Sequence, residues 1–432
     1  MNEICQVSQP KALGKNFIAT AFLLALTVWP FACAAEGSPN PFPNSVEYRS
    51  PLEGGHAEFR EAQAAPDEMS VASLQLSFEK ALSEGQISKA RTVLYQLLQH
   101  PLSSEALSKL GVTLAQRELY NEALEVFTHW VSDYPKMFEP HYNLALAYLA
   151  LQRYPEALSA LEKAPETSKA EGTARLYMRG KILEALGQID EAEQNLSNAF
   201  SVAPQQENYA LDLGLLYLRQ RAYPKAASVF GRGSSFHPRS TYLLLGLSLA
   251  QLLGGRSLES VETCRKLLAF DANFSAGRLL LGFALYQKGD FEEAERAAAQ
   301  GLAAAHPNPY LYYLRAAALL KLQSTDYDRI SRDLAIASEA IPECTLCYLA
   351  QSKVHEARGD LQSAIADLEQ AVKLDPNFEE AWYHLSRAYA RVGRRDQATR
   401  ASAEFSRLKS EKTNRDTEIL RDMFLKTLAA QE

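Results

Sequence analysis

The sequence predicts an all-α protein, a right-handed superhelical solenoid of about ten helix-turn-helix units closed by a C-terminal capping helix. Three observations lead there. Ala90, Ala123, Ala157, Ala192, Ala226, Ser260, Ala294, Ile330, Ala364 and Ala398 follow one another at steps of 33, 34, 35, 34, 34, 34, 36, 34 and 34 residues. Within a unit, apolar residues recur at helical spacing on both sides of a polar break, as at Leu211, Leu215 and Leu218, then Ala226, Ala227 and Phe230. With 432 residues and 47% hydrophobic composition, the chain is too long for one ordinary core and too apolar to be disordered.

In chain order, residues 1–35 come first. Lys11 and Lys15 precede an apolar run from Phe17 to Val28, and Ala32-Cys33-Ala34 supplies small residues at a cleavage position. This is the layout of a secretory signal peptide, with a run shorter than the roughly 20 apolar residues a spanning helix needs. Export to a periplasm or the extracellular space is therefore expected, if the source is bacterial. Two alternatives stay open: an uncleaved anchor, which would associate the chain with a membrane, and lipidation at Cys33. Residues 36–70 are rich in Pro, Gly and Ser and read as a flexible lead-in.

The repeat then occupies 71–412, with units near 71–103, 104–137, 138–172, 173–206, 207–240, 241–274, 275–308, 309–344, 345–378 and 379–412. Gly111, Gly180, Gly214 and Gly282 place a small residue in the middle of a first helix, so that the two helices of a unit approach closely. Pro135, Pro204, Pro238 and Pro376 stop second helices, because proline offers no N–H. One such hairpin cannot bury its apolar face alone, so each must stack on its neighbours. The eighth unit has a longer break between its helices, at 323–328, and residues 413–432 are amphipathic and suited to cover the exposed end.

These residues resemble the tetratricopeptide-repeat (TPR) family pattern of Trp, Leu-Gly, Tyr, Ala, Phe and Pro at fixed offsets. Trp382, Leu385, Tyr389 and Ala398 form the strongest copy, although Ser386 replaces the usual Gly. The resemblance implies that first helices build an inner wall on which partner proteins or peptides bind. Counting from each unit's start, it assigns to that wall Asn143, Tyr177 and Lys181 towards the N-terminal end. In the middle it assigns Leu211, Leu215, Tyr242, Leu245, Leu249, Leu279, Phe283 and Tyr286, and towards the C-terminal end Arg315, Lys353, Tyr383 and Arg387. Two readings of the apolar middle stay open: a groove that grips a segment, or coiling that buries it. A chaperone clamp is not expected, since Ser108, Val112, Ala174 and Met178 stand where its Lys and Asn residues belong.

Composition and motifs narrow the function classes. Lys plus Arg total 45 against 52 Asp plus Glu, a net charge of −7, which supplies no basic field for nucleic acid. No nucleophile elbow, phosphate loop or paired zinc motif is present, so neither catalysis nor a cofactor or metal is expected. Cys344 and Cys347 are the one pair with chemical potential, for which a structural disulfide, simple packing, and redox or metal work are the candidate roles. Cys264 reads as core. The functional expectation is a non-catalytic exported scaffold. The alternatives are a thiol-active envelope protein and a subunit holding an enzyme encoded elsewhere.

Overall fold

The computed structural model describes residues 70–304, 307–341, 343–410, 421 and 425. The expected signal peptide and all but the last residue of the lead-in lie outside that set. The described residues form twenty helices and no strands. In order, α1 (Val71–Ser83) pairs with α2 (Ile87–Leu97), α3 (Ser104–Ala115) with α4 (Tyr120–Asp133), and α5 (Phe138–Ala150) with α6 (Tyr154–Glu162). Next come α7 (Lys169–Ala185) with α8 (Ile189–Val202), α9 (Glu207–Arg219) with α10 (Tyr223–Phe236), and α11 (Thr241–Leu253) with α12 (Ser257–Phe270). The array continues with α13 (Ser275–Lys288) and α14 (Phe291–Leu302), α15 (Tyr310–Lys321) and α16 (Tyr327–Ala340), α17 (Thr345–Ala357) and α18 (Leu361–Leu374), and α19 (Glu379–Arg391) and α20 (Arg395–Ser410).

The small-residue register is a packing register. From Ala123 to Ala364 every member is fully buried at 0%, including Ser260, whose hydroxyl donates to the Ser248 carbonyl at 2.8 Å. The glycines of the first helices make room for a ring or a leucine rather than for a backbone. A Cβ on Gly111 would stand 2.1 Å from Phe127 Cε1, and one on Gly214 2.4 Å from Phe230 Cζ. Phe127 and Phe230 are wholly buried, so these two contacts set how deeply each second helix seats on its first.

A second register runs through the turns between the two helices of each pair. Gly85, Glu118, Gln152, Gly187, Arg221, Gly255, Gly289, Gln323, Gly359 and Gly393 all have positive φ, one in every pair. Each precedes the small-residue register by five positions, except Gln323, which precedes Ile330 by seven. The two extra residues are the longer break of the eighth pair.

Consecutive pairs are joined by apolar packing and by ion pairs between residues about one repeat apart. Lys109 reaches Glu79 at 2.9 Å, Lys225 reaches Glu193 at 2.8 Å and Arg329 reaches Glu295 at 3.0 Å. First helices also touch the first helices of the next pair, as α9 does α11, α11 does α13 and α13 does α15; second helices make no comparable contact among the described residues. The array therefore curves with its first helices on the inner side.

Of the stretch expected to cap the array, Arg421 and Leu425 are described, both with helical backbone. Leu425 packs against the core of the middle pairs, not against the last pair it was expected to cover. The physical reason lies in the surfaces on offer. The last helix, α20, is largely polar and exposed, whereas the middle inner wall is leucine-rich.

Candidate functional site: the inner wall

Because the repeat returns each first helix to the same place, equivalent positions along the wall can be compared directly. The ninth residue of each unit gives Glu79, Val112, Leu146, Lys181, Leu215, Leu249, Phe283, Ala317, Lys353 and Arg387. Glu79 is exposed, Val112, Leu146 and Lys181 are half-buried, Leu215 and Leu249 are closed off at 1% and 0%, Phe283 is half-buried, Ala317 is buried, Lys353 is half-buried, and Arg387 is exposed. The wall is thus open towards both ends and shut in the middle.

The shut region decides between the two readings of the apolar centre at four positions. Leu215, Leu245, Leu249 and Leu279 are at most 1% exposed, so they are core, not free surface. Leu211, Tyr242, Phe283 and Tyr286 are half-buried and pack against that same core.

At the N-terminal side of this centre, Tyr177 stacks on Tyr209 with ring centroids 4.3 Å apart and donates its hydroxyl to Asp212 Oδ2. Lys181 Nζ lies 2.9 Å from Asp212 Oδ1, a carboxylate whose side chain is 4% exposed. The expected wall residues Tyr177 and Lys181 therefore share one buried anion, Asp212, which stands in the next first helix. Asn143 turns back on its own helix and donates to the Glu139 carbonyl at 2.8 Å.

At the C-terminal end the wall is polar and aromatic. The Arg387 guanidinium lies 5.6 Å from the centre of the Tyr383 ring, and Tyr383 is 39% exposed. Lys353 Nζ pairs with Glu380 at 2.8 Å. Beside them His384 is held below the ordinary histidine range by burial and by the nearby Lys353, so it stays neutral close to its cationic neighbours. Arg315 is a correction. It makes a two-pronged pair with Asp333, at 2.7 and 2.6 Å, on the second helix of its own hairpin. Its place seventh in the unit turns it towards α16 instead of the groove.

The sulfurs of Cys344 and Cys347 are joined, with Cα atoms 5.2 Å apart, at the N-terminus of α17. Both residues are buried, Cys344 at 7% and Cys347 at 1% exposure. Cys264 is fully buried and its thiol is pushed up to about 12 by burial, which makes it inert. No group of three or more metal-ligating side chains occurs among the described residues, and no described helix is long and apolar enough to cross a membrane.

Sequence reasoning missed a polar cluster at the last pairs. Asp367 on α18 faces His355 Nε2 at 3.6 Å, and burial, with Asp360 nearby, pushes its carboxyl up to about 7. Nothing in the pattern marks Asp367, since an acidic residue within a polar helix reads as solvated.

An all-helical array with an inner wall of this kind is a protein-interaction scaffold by class. Three family profiles match it in separate stretches: "TPR repeat" at 354–393, "Tetratricopeptide repeat" at 177–233, and "Anaphase-promoting complex, cyclosome, subunit 3" at 83–164. The chain is a tetratricopeptide-repeat protein. Among curated proteins it resembles the BBSome complex member BBS4 of Bos taurus, 28% identical over 142 residues. That match spans 33% of this chain and about a quarter, 26%, of the relative. Among solved structures it resembles a tetratricopeptide repeat protein from Parabacteroides merdae, at 17% identity and TM-score 0.46, over 58% of this chain and 98% of the other. It also resembles the APC/C hetero-tetramer Cut9-Hcn1, at 14% identity and TM-score 0.38, over 79% and 88%.

Proposed function

We propose that this chain is a non-catalytic, exported scaffold that holds a protein or peptide segment on its inner wall. The observation that carries the reading is the open C-terminal stretch of that wall. There Tyr383, Arg387 and Lys353 stand on successive first helices, with a ring already stacked by a guanidinium. Aromatic and arginine side chains on a rigid helix face lose little freedom on binding and are the residue types that dominate contact energy. Cationic groups at this end suit an acidic segment, and the net charge of −7 speaks against nucleic acid as that ligand. The apolar run after Lys15, followed by Ala32-Cys33-Ala34, supports export.

The test is crosslinking in the native host, with mass spectrometry of what is trapped, comparing the wild-type chain with a Tyr383→Ala/Arg387→Ala double variant. The expected result is a specific protein whose capture falls at least about tenfold in the variant, equivalent to about 1.4 kcal/mol. Equal capture by both chains would remove the inner wall from the reading. A fusion of residues 1–70 to a reporter active only outside the cytoplasm tests export, and an inactive reporter would refute it.

A further inference from the structure

We infer that the middle of the inner wall is a docking site for this chain's own C-terminal segment, residues 413–432, held through Leu425. The first observation is the uneven burial along a repeating surface. Repetition gives the ninth and twelfth residues of every first helix the same local neighbours, so their burial should vary little. At the ninth position Leu215 and Leu249 are at most 1% exposed, while Leu146 and Lys353 are half-buried and Arg387 is exposed; at the twelfth, Leu82 and Ala115 near the N-terminal end are as closed off as Leu218 and Leu252.

The second observation is what lies there. Leu425 is half-buried and packs on the same core that Leu211, Tyr242, Phe283 and Tyr286 line. Leu425 follows Ser410, the end of α20, by 15 residues, a length that reaches about 50 Å when extended and about 22 Å as helix. First helices pack about 10 Å apart, so the segment can return across several pairs.

The third observation is the chemistry of the two surfaces. Arg421 and Leu425 are both helical and four residues apart, hence on one face. Leu428, three residues after Leu425, adds an apolar side chain at helical spacing in the sequence. Arg421 is itself engaged in an interaction. An amphipathic helix laid in an apolar groove is the mode these features fit. The docking stands on packing alone. Its consequence, that an incoming partner segment must displace the tail or bind beside it, rests on the proposed reading of the wall as the binding face.

Two measurements on the full-length chain test the docking. A photo-crosslinking residue at position 425 should link within one molecule to α9, α11 or α13; links confined to α19 and α20, or links only between molecules, would overturn it by assigning the tail to an end cap or a second copy. In Leu425→Asp, hydroxyl-radical labelling of Tyr242, Phe283 and Tyr286 should rise at least about threefold while Tyr383, already open, stays constant. Unchanged labelling of the three would equally overturn it. The two ideas fail separately. Raised labelling without any captured protein leaves the docking standing and removes the scaffold reading; a captured protein with unchanged labelling does the reverse.

Discussion

The middle and the C-terminal end of the inner wall are built from the same repeat position and do opposite things. Leu249 and Arg387 are both ninth in their units, yet one is fully buried and the other exposed beside an open tyrosine ring. The comparison teaches that in a repeat array whether a position is core or surface is set by what packs over it, not by its offset in the unit. The middle spends its wall on stability. The end leaves its wall open.

Breaking this contrast is simplest at its two poles. Leu249→Asp buries an uncompensated charge in the largest core and should lower unfolding free energy by about 3 kcal/mol or more, read from urea denaturation followed by circular dichroism. Arg387→Ala at the equivalent position should change stability by less than about 0.5 kcal/mol and act on partner capture instead. Similar losses from both would erase the distinction.

Arg315 sharpens the contrast by marking where structural charge ends and recognition charge begins. Arg315→Ala leaves Asp333, 4% exposed, without its two-pronged partner. The expected cost is about 2–3 kcal/mol, with no loss of capture. A capture defect at unchanged stability would return Arg315 to the wall.

The C-terminal end should also be the pH-labile part. Asp367 has a folded pKa of about 7, raised by burial above its ordinary value of 3.8. Its favourable contribution is complete below the ordinary value and is lost as pH rises through about 7, because the unfolded chain releases the proton more readily. His355, 3.6 Å away, opposes part of this effect when protonated. Thermal unfolding of the last pairs should therefore be easier at pH 8 than at pH 5, and Asp367→Asn should flatten that difference while leaving the middle pairs unaffected. A pH difference that survives the substitution would assign it to another group.

The smallest effect concerns the turns. Arg221 in the middle holds a left-handed conformation that Gly359 and Gly393 hold at the end. Arg221→Gly should stabilise the chain by about 0.5–1 kcal/mol, since only a side chain makes that conformation costly. A loss on substitution would mean the Arg221 side chain contributes more than its backbone strain removes.

The fold was legible because small residues recur where helices must touch, and Ala123, Ala192 and Ser260 are buried for that reason. The turn register was not legible, since Glu118, Gln152, Arg221 and Gln323 carry no sequence mark of positive φ. The inner wall was legible as a list of positions but not as a surface. Burial at Leu215 or Leu245 depends on distant chain, and Leu425 lies 210 residues after the first of them by direct subtraction. Arg315 was misplaced because it stands seventh in its unit, a position that turns towards Asp333 on the second helix.

The partition of the apolar core carries a mechanical consequence at the eighth pair. At that pair the apolar core divides: Leu311, Leu314 and Ala318 of α15 belong to the middle cluster, and Ala316 and Leu319 of the same helix belong to the next one, with Ile330 and Leu334. A helix shared between two cores acts as a seam. α7 and α17 are shared in the same way, Tyr177 against Met178 and Ile182 and Leu349 against Ala350 and Val354, so under tension applied at its ends the chain should part at these three seams while the middle core still holds load.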